Sequence, residues 1–232
     1  MAAHEYKPLK ITWTFREAVG LSAHPIHLDA LLAWASVKRS IDAGNADLLP
    51  DEDGSTAKMF AAQENLPLAR TGTTWHASML RFTPLGESFL FPVTRKYPLH
   101  MFARNMGILF EGQPRKDAIS DGSGIYKGFD MRFPAQQMKC AVAWCVGDKE
   151  AIQDLLRDVL SIGPRHQKGL GRVASVTVED CPVNEIENWR VRVLPVGSGL
   201  ETDTIKYALA YGRAFPPYWD RVCQEEVLVP TI

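Results

Sequence analysis

The alternation of apolar and polar positions predicts the first elements of the chain. Residues 9–16 alternate at period two, which is the pattern of a half-buried strand. Apolar residues then recur at helical spacing over residues 28–35 and predict a first helix that ends near Arg39. Two further alternating segments, residues 73–82 and 88–93, predict a β-hairpin whose loop is the short stretch between them.

The second half of the ordered pattern repeats this arrangement. A nearly continuous apolar run over residues 138–146 predicts a buried central strand. Asp148 is the expected N-cap of a second helix over residues 149–160, and β-branched residues over 173–178 predict the next strand. Two strand–helix–strand units that share an antiparallel sheet form a ferredoxin-like (RRM-type) domain, so the predicted fold class is α+β.

The predicted ferredoxin-like domain covers residues 1–180 and carries two insertions. The first, at about residues 41–56, is acidic and indicates a surface loop. The second, at about residues 95–132, has seven Lys and Arg residues, four acidic residues, five glycines and poor periodicity, which predicts a basic extended loop or hairpin arm. Residues 181–232, with an alternating stretch at 189–194, are predicted to form a small β-rich extension.

Composition narrows the class of protein. The chain has 232 residues, 46% of them hydrophobic, and no apolar run near the roughly 20 residues that cross a bilayer, so we expect a cytoplasmic protein without a membrane partner. The four cysteines are scattered, and neither Cys nor His occurs at metal-ligand spacing; no metal, cofactor or disulfide framework is expected. The net charge of −1 argues against a free-standing, nonspecific nucleic-acid binder, so any anion site must be local.

The strongest candidate site is the segment of residues 161–173, here called the glycine loop. It holds three glycines, three permanent cations and one histidine, and it has no acid. Glycines admit another backbone closely, and successive amide N–H groups can bind an anion, so the composition suits phosphates. The alternative is a helix C-cap followed by a solvated turn. The residues concerned are Gly163, Arg165, His166, Lys168, Gly169, Gly171 and Arg172.

Three motifs of the chain occur together in one known group of proteins. They are His-Pro-Ile-His-Leu-Asp-Ala-Leu-Leu-Ala-Trp-Ala from His24, Gly-Ser-Gly-Ile-Tyr-Lys-Gly-Phe from Gly122, and Ile-Gly-Pro-Arg-His-Gln-Lys-Gly-Leu-Gly-Arg-Val from Ile162. In this combination the chain resembles the RAMP superfamily of CRISPR-associated proteins, and within it the group-five subunit of type IV effector complexes. The resemblance spans about residues 9–178.

The resemblance implies a non-catalytic subunit that binds the 5′ handle of the guide RNA (crRNA) and caps one end of a filament of backbone subunits. The implied partners are the guide RNA, the backbone and large subunits, and target nucleic acid reached through the complex. Carried over to this sequence, the RNA contacts are made by the glycine loop and by the thumb-like arm. The arm residues concerned are Arg95, Lys96, Tyr126 and Lys127.

A second function is compatible with the same resemblance: a metal-independent endoribonuclease that processes CRISPR repeat RNA, as several relatives do. Metal-free RNA cleavage needs a base to deprotonate the 2′-hydroxyl, and histidine is the usual one. His27 and His24 are the candidates because they lie at the start of the first helix. The alternative for His27 is that it caps or packs at the N-terminus of that helix.

Overall fold

The computed structural model describes residues 5–44, 65–95, 128–216, 218 and 224–231. Within these residues the chain is a mixed α/β protein with mostly antiparallel sheets and few helices. Most of the predicted acidic insertion and of the predicted arm, including Lys96, Tyr126 and Lys127, lies outside the described residues. The elements are β1 (Lys7–Phe15), β2 (Val19–Gly20), α1 (Leu28–Asp42), β3 (Arg70–Thr71), β4 (Thr74–Trp75), β5 (Arg81–Arg95), β6 (Phe129–Gly147), α2 (Lys149–Leu156), β7 (Val173–Asp180), β8 (Leu194–Pro195), β9 (Tyr207–Gly212) and β10 (Glu225–Pro230), with 3-10 helices at His166–Lys168 and Val183–Arg190.

The main sheet has the strand order β5–β6–β1–β7, and every neighbouring pair is antiparallel. Helix α1 lies between β1 and β5 in the chain, and α2 lies between β6 and β7. The predicted central strand is confirmed, because β6 pairs with β1 and β2 along one edge and with β5 along the other. Beyond β1, residues 88–95 and 129–136 continue the pairing of β5 with β6 and are here called the ribbon; β2 lies alongside it only at Ala135 and Gln136.

The hairpin predicted over residues 73–93 is wrong. Residues 81–95 form one strand, β5, and the stretch predicted as its loop is an irregularity in the pairing of β5 with β6. Pro84 lies opposite Met138 and Ser88 lies opposite Gln136, so three residues of β5 are accommodated against a single residue of β6. A proline that cannot donate to the ladder is tolerated at such a bulge. The Pro-Leu-Gly sequence therefore marks a bulge, not a reversal of the chain.

Both helices pack on one face of the main sheet. The inward-facing residues of β1 and the apolar faces of α1 and α2 form one core, and burying each large aliphatic side chain contributes about 1.5–3 kcal/mol. As predicted, Asp148 caps α2, its carboxylate accepting a hydrogen bond from the Ala151 N–H at 3.1 Å. No helix in the described ranges is long and apolar enough to span a membrane. Fully buried members of this core include Leu9, Ile11, Trp13, Leu28, Leu32, Ile152 and Leu156.

Residues beyond β7 cover the opposite face of the sheet. Trp144 of β6 packs there against Trp189, Leu194 and Leu200. The Trp144 indole N–H donates to Glu185 at 2.7 Å, which fixes the 3-10 helix Val183–Arg190 on the sheet. The strand predicted over residues 189–194 is wrong for most of its length, since its start belongs to this 3-10 helix and only its end, in β8, is extended. The predicted division of the chain at residue 180 stays a prediction.

Candidate functional site

The glycine loop is a closed turn with a fixed base and an exposed tip. At its base, the Ile162 N–H donates to the Gly171 carbonyl at 2.9 Å. The Gly171 N–H in turn donates to the Ala18 carbonyl at 2.7 Å, which ties the loop to the segment before β2. The tip, His166–Lys168, is a single 3-10 turn whose side chains are exposed. The loop therefore presents its polar side chains from a rigid support.

The loop is not the C-cap of a helix, which was the alternative explanation for its glycines. Helix α2 ends at Leu156, and its C-cap residue Arg157 has an ordinary right-handed conformation with φ of −61°. The three glycines lie beyond the end of this helix, and their conformations shape the loop. A Cβ on Gly163 would lie 3.2 Å from the Gly20 carbonyl oxygen, so this glycine lets the loop pack on β2.

The other two glycines differ in what surrounds them. A Cβ on Gly171, which has φ of +69°, would lie 1.9 Å from the Ile162 carbonyl oxygen. The close approach that Gly171 permits is therefore that of the protein's own backbone. Gly169 also has a positive φ, +94°, but a Cβ there would have no atom within 4 Å. Of the two, Gly169 is the one whose surface is open to a ligand.

The three cations of the loop are exposed, and no carboxylate among the described residues pairs with any of them. By contrast, Lys149 on α2 pairs with Asp180 at 2.8 Å. Arg165 also has a φ of 63°, a left-handed conformation that no other non-glycine residue in the described ranges adopts. Its guanidinium lies over the Phe133 ring of β6, 3.9 Å from the ring centroid.

One face of the ribbon is apolar and lies beside the glycine loop. Phe91 is opposite Phe133, Val93 is opposite Met131, and Arg95 is opposite Phe129, so these side chains share a face. A groove of about 350 Å³ is lined by this face and by residues 165–168 of the loop. A second groove, of about 340 Å³, is lined by ribbon and loop residues that include Phe89, Phe91, Lys168, Gly169 and Arg172.

An aromatic wall beside cations that no described carboxylate pairs with has the chemistry of a single-stranded nucleic-acid site. Rings stack on bases, and Lys and Arg contact phosphates. The structure brings the predicted loop residues together with the ribbon that ends at Arg95. The sequence-based prediction missed the aromatic and apolar wall, although period-two spacing of large side chains over residues 129–135 signals it. The missed residues are Phe89, Phe91, Met131 and Phe133.

The two candidate catalytic histidines lie in different environments. His24 is exposed, whereas His27 is only 1% exposed and stacks on Tyr218 with ring centroids 4.2 Å apart. Neither ring nitrogen of His27 has a hydrogen-bond partner among the described residues. Burial, together with the nearby Arg192 guanidinium, holds the pKa of His27 well below its usual value. The His27 ring is therefore neutral and enclosed.

Beside His27 lies a buried polar cluster that no sequence pattern predicts. Arg192 donates to Asp29 at 3.1 Å and to the Tyr218 hydroxyl at 2.7 Å, and the same hydroxyl donates to the Asp29 carboxylate. Both Asp29 and Arg192 are fully buried. Arg192 also donates to four backbone carbonyls, so its charge is completely surrounded by acceptors. The cluster joins α1 to the residues that follow β7.

Comparison with known protein families matches residues 7–230 of the chain to a family model. The matching family is described as CRISPR type IV associated protein Csf3. The match covers nearly the whole chain and agrees with the type IV CRISPR resemblance of the sequence motifs. No curated protein matches the chain.

Proposed function

We propose that this chain, which belongs to the family of CRISPR type IV associated protein Csf3, is a non-catalytic subunit that holds the 5′ handle of the guide RNA. In this proposal the chain caps one end of the filament of backbone subunits in a type IV effector complex. Its protein partners are the backbone and large subunits, and it meets target nucleic acid through the complex. The complex acts in the cytoplasm.

The observation that supports RNA binding is the cationic glycine loop facing the aromatic side of the ribbon. Arg165, Lys168 and Arg172 are exposed, and no described carboxylate neutralises them. Because the whole chain has a net charge of −1, attraction of RNA has to come from local groups such as these and not from the overall charge. A local site of this kind suits a subunit that partner proteins also hold in place, since such a subunit needs less long-range attraction to RNA.

We further propose that the domain is ferredoxin-like and that the ribbon is the base of an RNA-gripping thumb. The four long strands of the main sheet are β1, β5, β6 and β7 in chain order, and the first lies between the third and the fourth. With α1 and α2 as the two crossovers on one face, this is the order that a βαββαβ domain requires.

The endoribonuclease alternative has less support. A general base must reach the 2′-hydroxyl within hydrogen-bond distance, and the enclosure of His27 by Tyr218 prevents this without local opening. His24 is exposed, but no described contact orients it towards the glycine loop. A discrete product from cognate repeat RNA in EDTA, lost in a His24→Ala or His27→Ala variant, would overturn the non-catalytic assignment.

The salt dependence of RNA binding tests the proposal. Lys168→Ala should weaken binding of handle RNA and reduce the slope of log K against log salt by about 0.7, the value for one phosphate contact on a single strand. Lys149→Ala is the matched control, because Lys149 is an exposed lysine engaged by Asp180. A double Arg165→Ala, Lys168→Ala variant should lose guide RNA from the assembled complex. Guide-RNA retention equal to that of the wild type would refute the loop assignment.

A further inference from the structure

We propose that Arg165 is a platform for one unstacked RNA base, which enters the groove between the glycine loop and the ribbon and stacks on the guanidinium. This proposal rests on the proposed RNA-binding function and goes further, because it assigns a nucleobase, not only a phosphate, to a particular side chain. Three observations carry it: the backbone of Arg165, its contact with Phe133, and the composition of the groove.

The backbone of Arg165 is held in an unusual conformation. Its φ of 63° is one that L side chains rarely adopt, and glycine occupies the other positive-φ positions in the described residues. The Arg165 carbonyl accepts a hydrogen bond from the Lys168 N–H at 2.8 Å, which closes the 3-10 turn behind it. Glycine would meet the backbone requirement more easily than arginine. The presence of a large planar cation at this position therefore points to a use for the side chain.

The contact with Phe133 determines which part of the guanidinium remains available. One side lies over the Phe133 ring, 3.9 Å from its centroid. Phe133 is itself held by the pairing of β6 with β5, where it lies opposite Phe91. The side chain of Arg165 is exposed, and within the described ranges no carboxylate binds it. The guanidinium is thus a planar, positively charged group that Phe133 contacts and that remains exposed to solvent.

The groove next to this platform has the composition of a base pocket. Its volume of about 350 Å³ is near the lower limit of small-ligand sites, which suits a single nucleotide and not a larger group. Bases are recognised by stacking on aromatic rings or on arginine planes and by hydrogen bonds to their edges. The polar rim offers such groups in His166 and Gln167, and Lys168 is placed for the adjoining phosphate. The apolar wall consists of Val93, Phe129, Met131 and Phe133.

The competing role for Arg165 is that of a point charge on a phosphate. A lysine at this position keeps the charge but lacks the planar guanidinium, so the Arg165→Lys variant separates the two roles. Stacking of one base is expected to contribute about a tenfold preference in binding. A phosphate contact alone gives no preference for the presence of a base.

The experiment is a competition during assembly of the complete effector complex. An intact guide RNA and a guide RNA with one abasic handle nucleotide are mixed in equal amounts, and the ratio retained by the complex is measured for each handle position. With the wild-type chain, we expect one position at which the intact RNA is favoured about tenfold. This preference should disappear in Arg165→Lys and in Phe133→Leu, and it should persist in Lys149→Ala, the control at a cation outside the glycine loop.

Two results would overturn the platform: no handle position with a preference, or an equal preference in the wild type and in Arg165→Lys. Either result leaves the proposed RNA-binding function in place if the Arg165→Ala, Lys168→Ala variant still loses guide RNA. If that double variant retains guide RNA fully, the RNA-binding assignment of the loop fails together with the platform. Arg165 is exposed, so we expect its replacement by lysine to leave the folded core intact.

Discussion

Arg165 and Arg192 both lie beside aromatic side chains, but Arg165 is at the surface and Arg192 is buried inside the protein. Arg192 is fully buried, and it donates to Asp29, to the Tyr218 hydroxyl and to four backbone carbonyls. Arg165 is exposed, rests on Phe133, and has no carboxylate partner among the described residues. The same residue type therefore performs two different tasks.

The difference follows from the energetics of burying a charge. A guanidinium removed from water must have its donors met within the protein, because an unpaired buried charge costs several kcal/mol. Arg192 meets this requirement and so has nothing left to offer a ligand. An exposed guanidinium has no such requirement, because water satisfies its donors until a ligand replaces the water. Burial and pairing, more than residue type, distinguish the cation that holds the fold from the one that we propose binds RNA.

The largest expected effect comes from breaking the buried polar cluster of Asp29, Arg192 and Tyr218. Asp29→Ala would leave Arg192 buried without its counter-charge, and we expect the free energy of unfolding to fall by about 3–5 kcal/mol. Asp42→Ala is the matched control at the other end of α1, where Asp42 makes an exposed i,i+4 pair with Lys38. That change should cost at most about 0.5 kcal/mol. Urea denaturation measures both, and similar losses in the two variants would contradict the structural role of the cluster.

A smaller effect is expected at the exposed site, where two glycines of the same loop can be compared. Gly169→Ala should cost about 1–2 kcal/mol, because φ is positive but no atom lies near the new methyl group. Gly171→Ala adds to this a collision with the Ile162 carbonyl oxygen, so its cost should be clearly larger. The midpoints of urea unfolding measure the difference. If Gly171→Ala costs no more than Gly169→Ala, the base of the loop is not closed as described.

The elements with strong periodicity could be predicted from the sequence, and so could the position of the glycine loop. Strands β1, β6 and β7 and both helices agree with their apolar patterns, because burial on one face imposes a period on the chain. The sequence predicts a hairpin where the structure has the single strand β5, because proline and glycine are typical of turns and of bulges. Only pairing with β6 separates the two, and pairing is not visible in the local sequence.

The chemistry of both arginine sites was harder to predict, for a similar reason. Asp29 and Arg192 are 163 positions apart, and nothing in either local sequence indicates that they meet. The cations of the glycine loop were found from composition, but the aromatic wall opposite them depends on the register of β5 and β6. The motif that includes His27 favours capping or packing over catalysis but leaves both open, because sequence does not show whether a side chain will be enclosed.

The smallest expected effect concerns His27, which lies beside the buried polar cluster. Replacing His27 should change how the stability of the protein depends on pH. Burial lowers the pKa of His27 in the folded protein, so below about pH 6.5 the unfolded chain binds a proton that the folded chain rejects. The stability that neutral His27 contributes is present above the pKa that His27 has in the unfolded chain, and it is lost as the pH falls below that value. Burial raises the pKa of Asp29, which acts in the opposite direction and remains when His27 is replaced.

The variant His27→Phe keeps a ring against Tyr218 and removes the titrating group. Its urea midpoint should follow that of the wild type above about pH 7 and fall less steeply between about pH 6.5 and 5, since only the wild type takes up the extra proton on unfolding. His24→Phe, at an exposed position, is the control and should leave the profile unchanged. Parallel profiles for the wild type and His27→Phe would mean that His27 is accessible to protons in the folded state, which would restore it as a candidate general base.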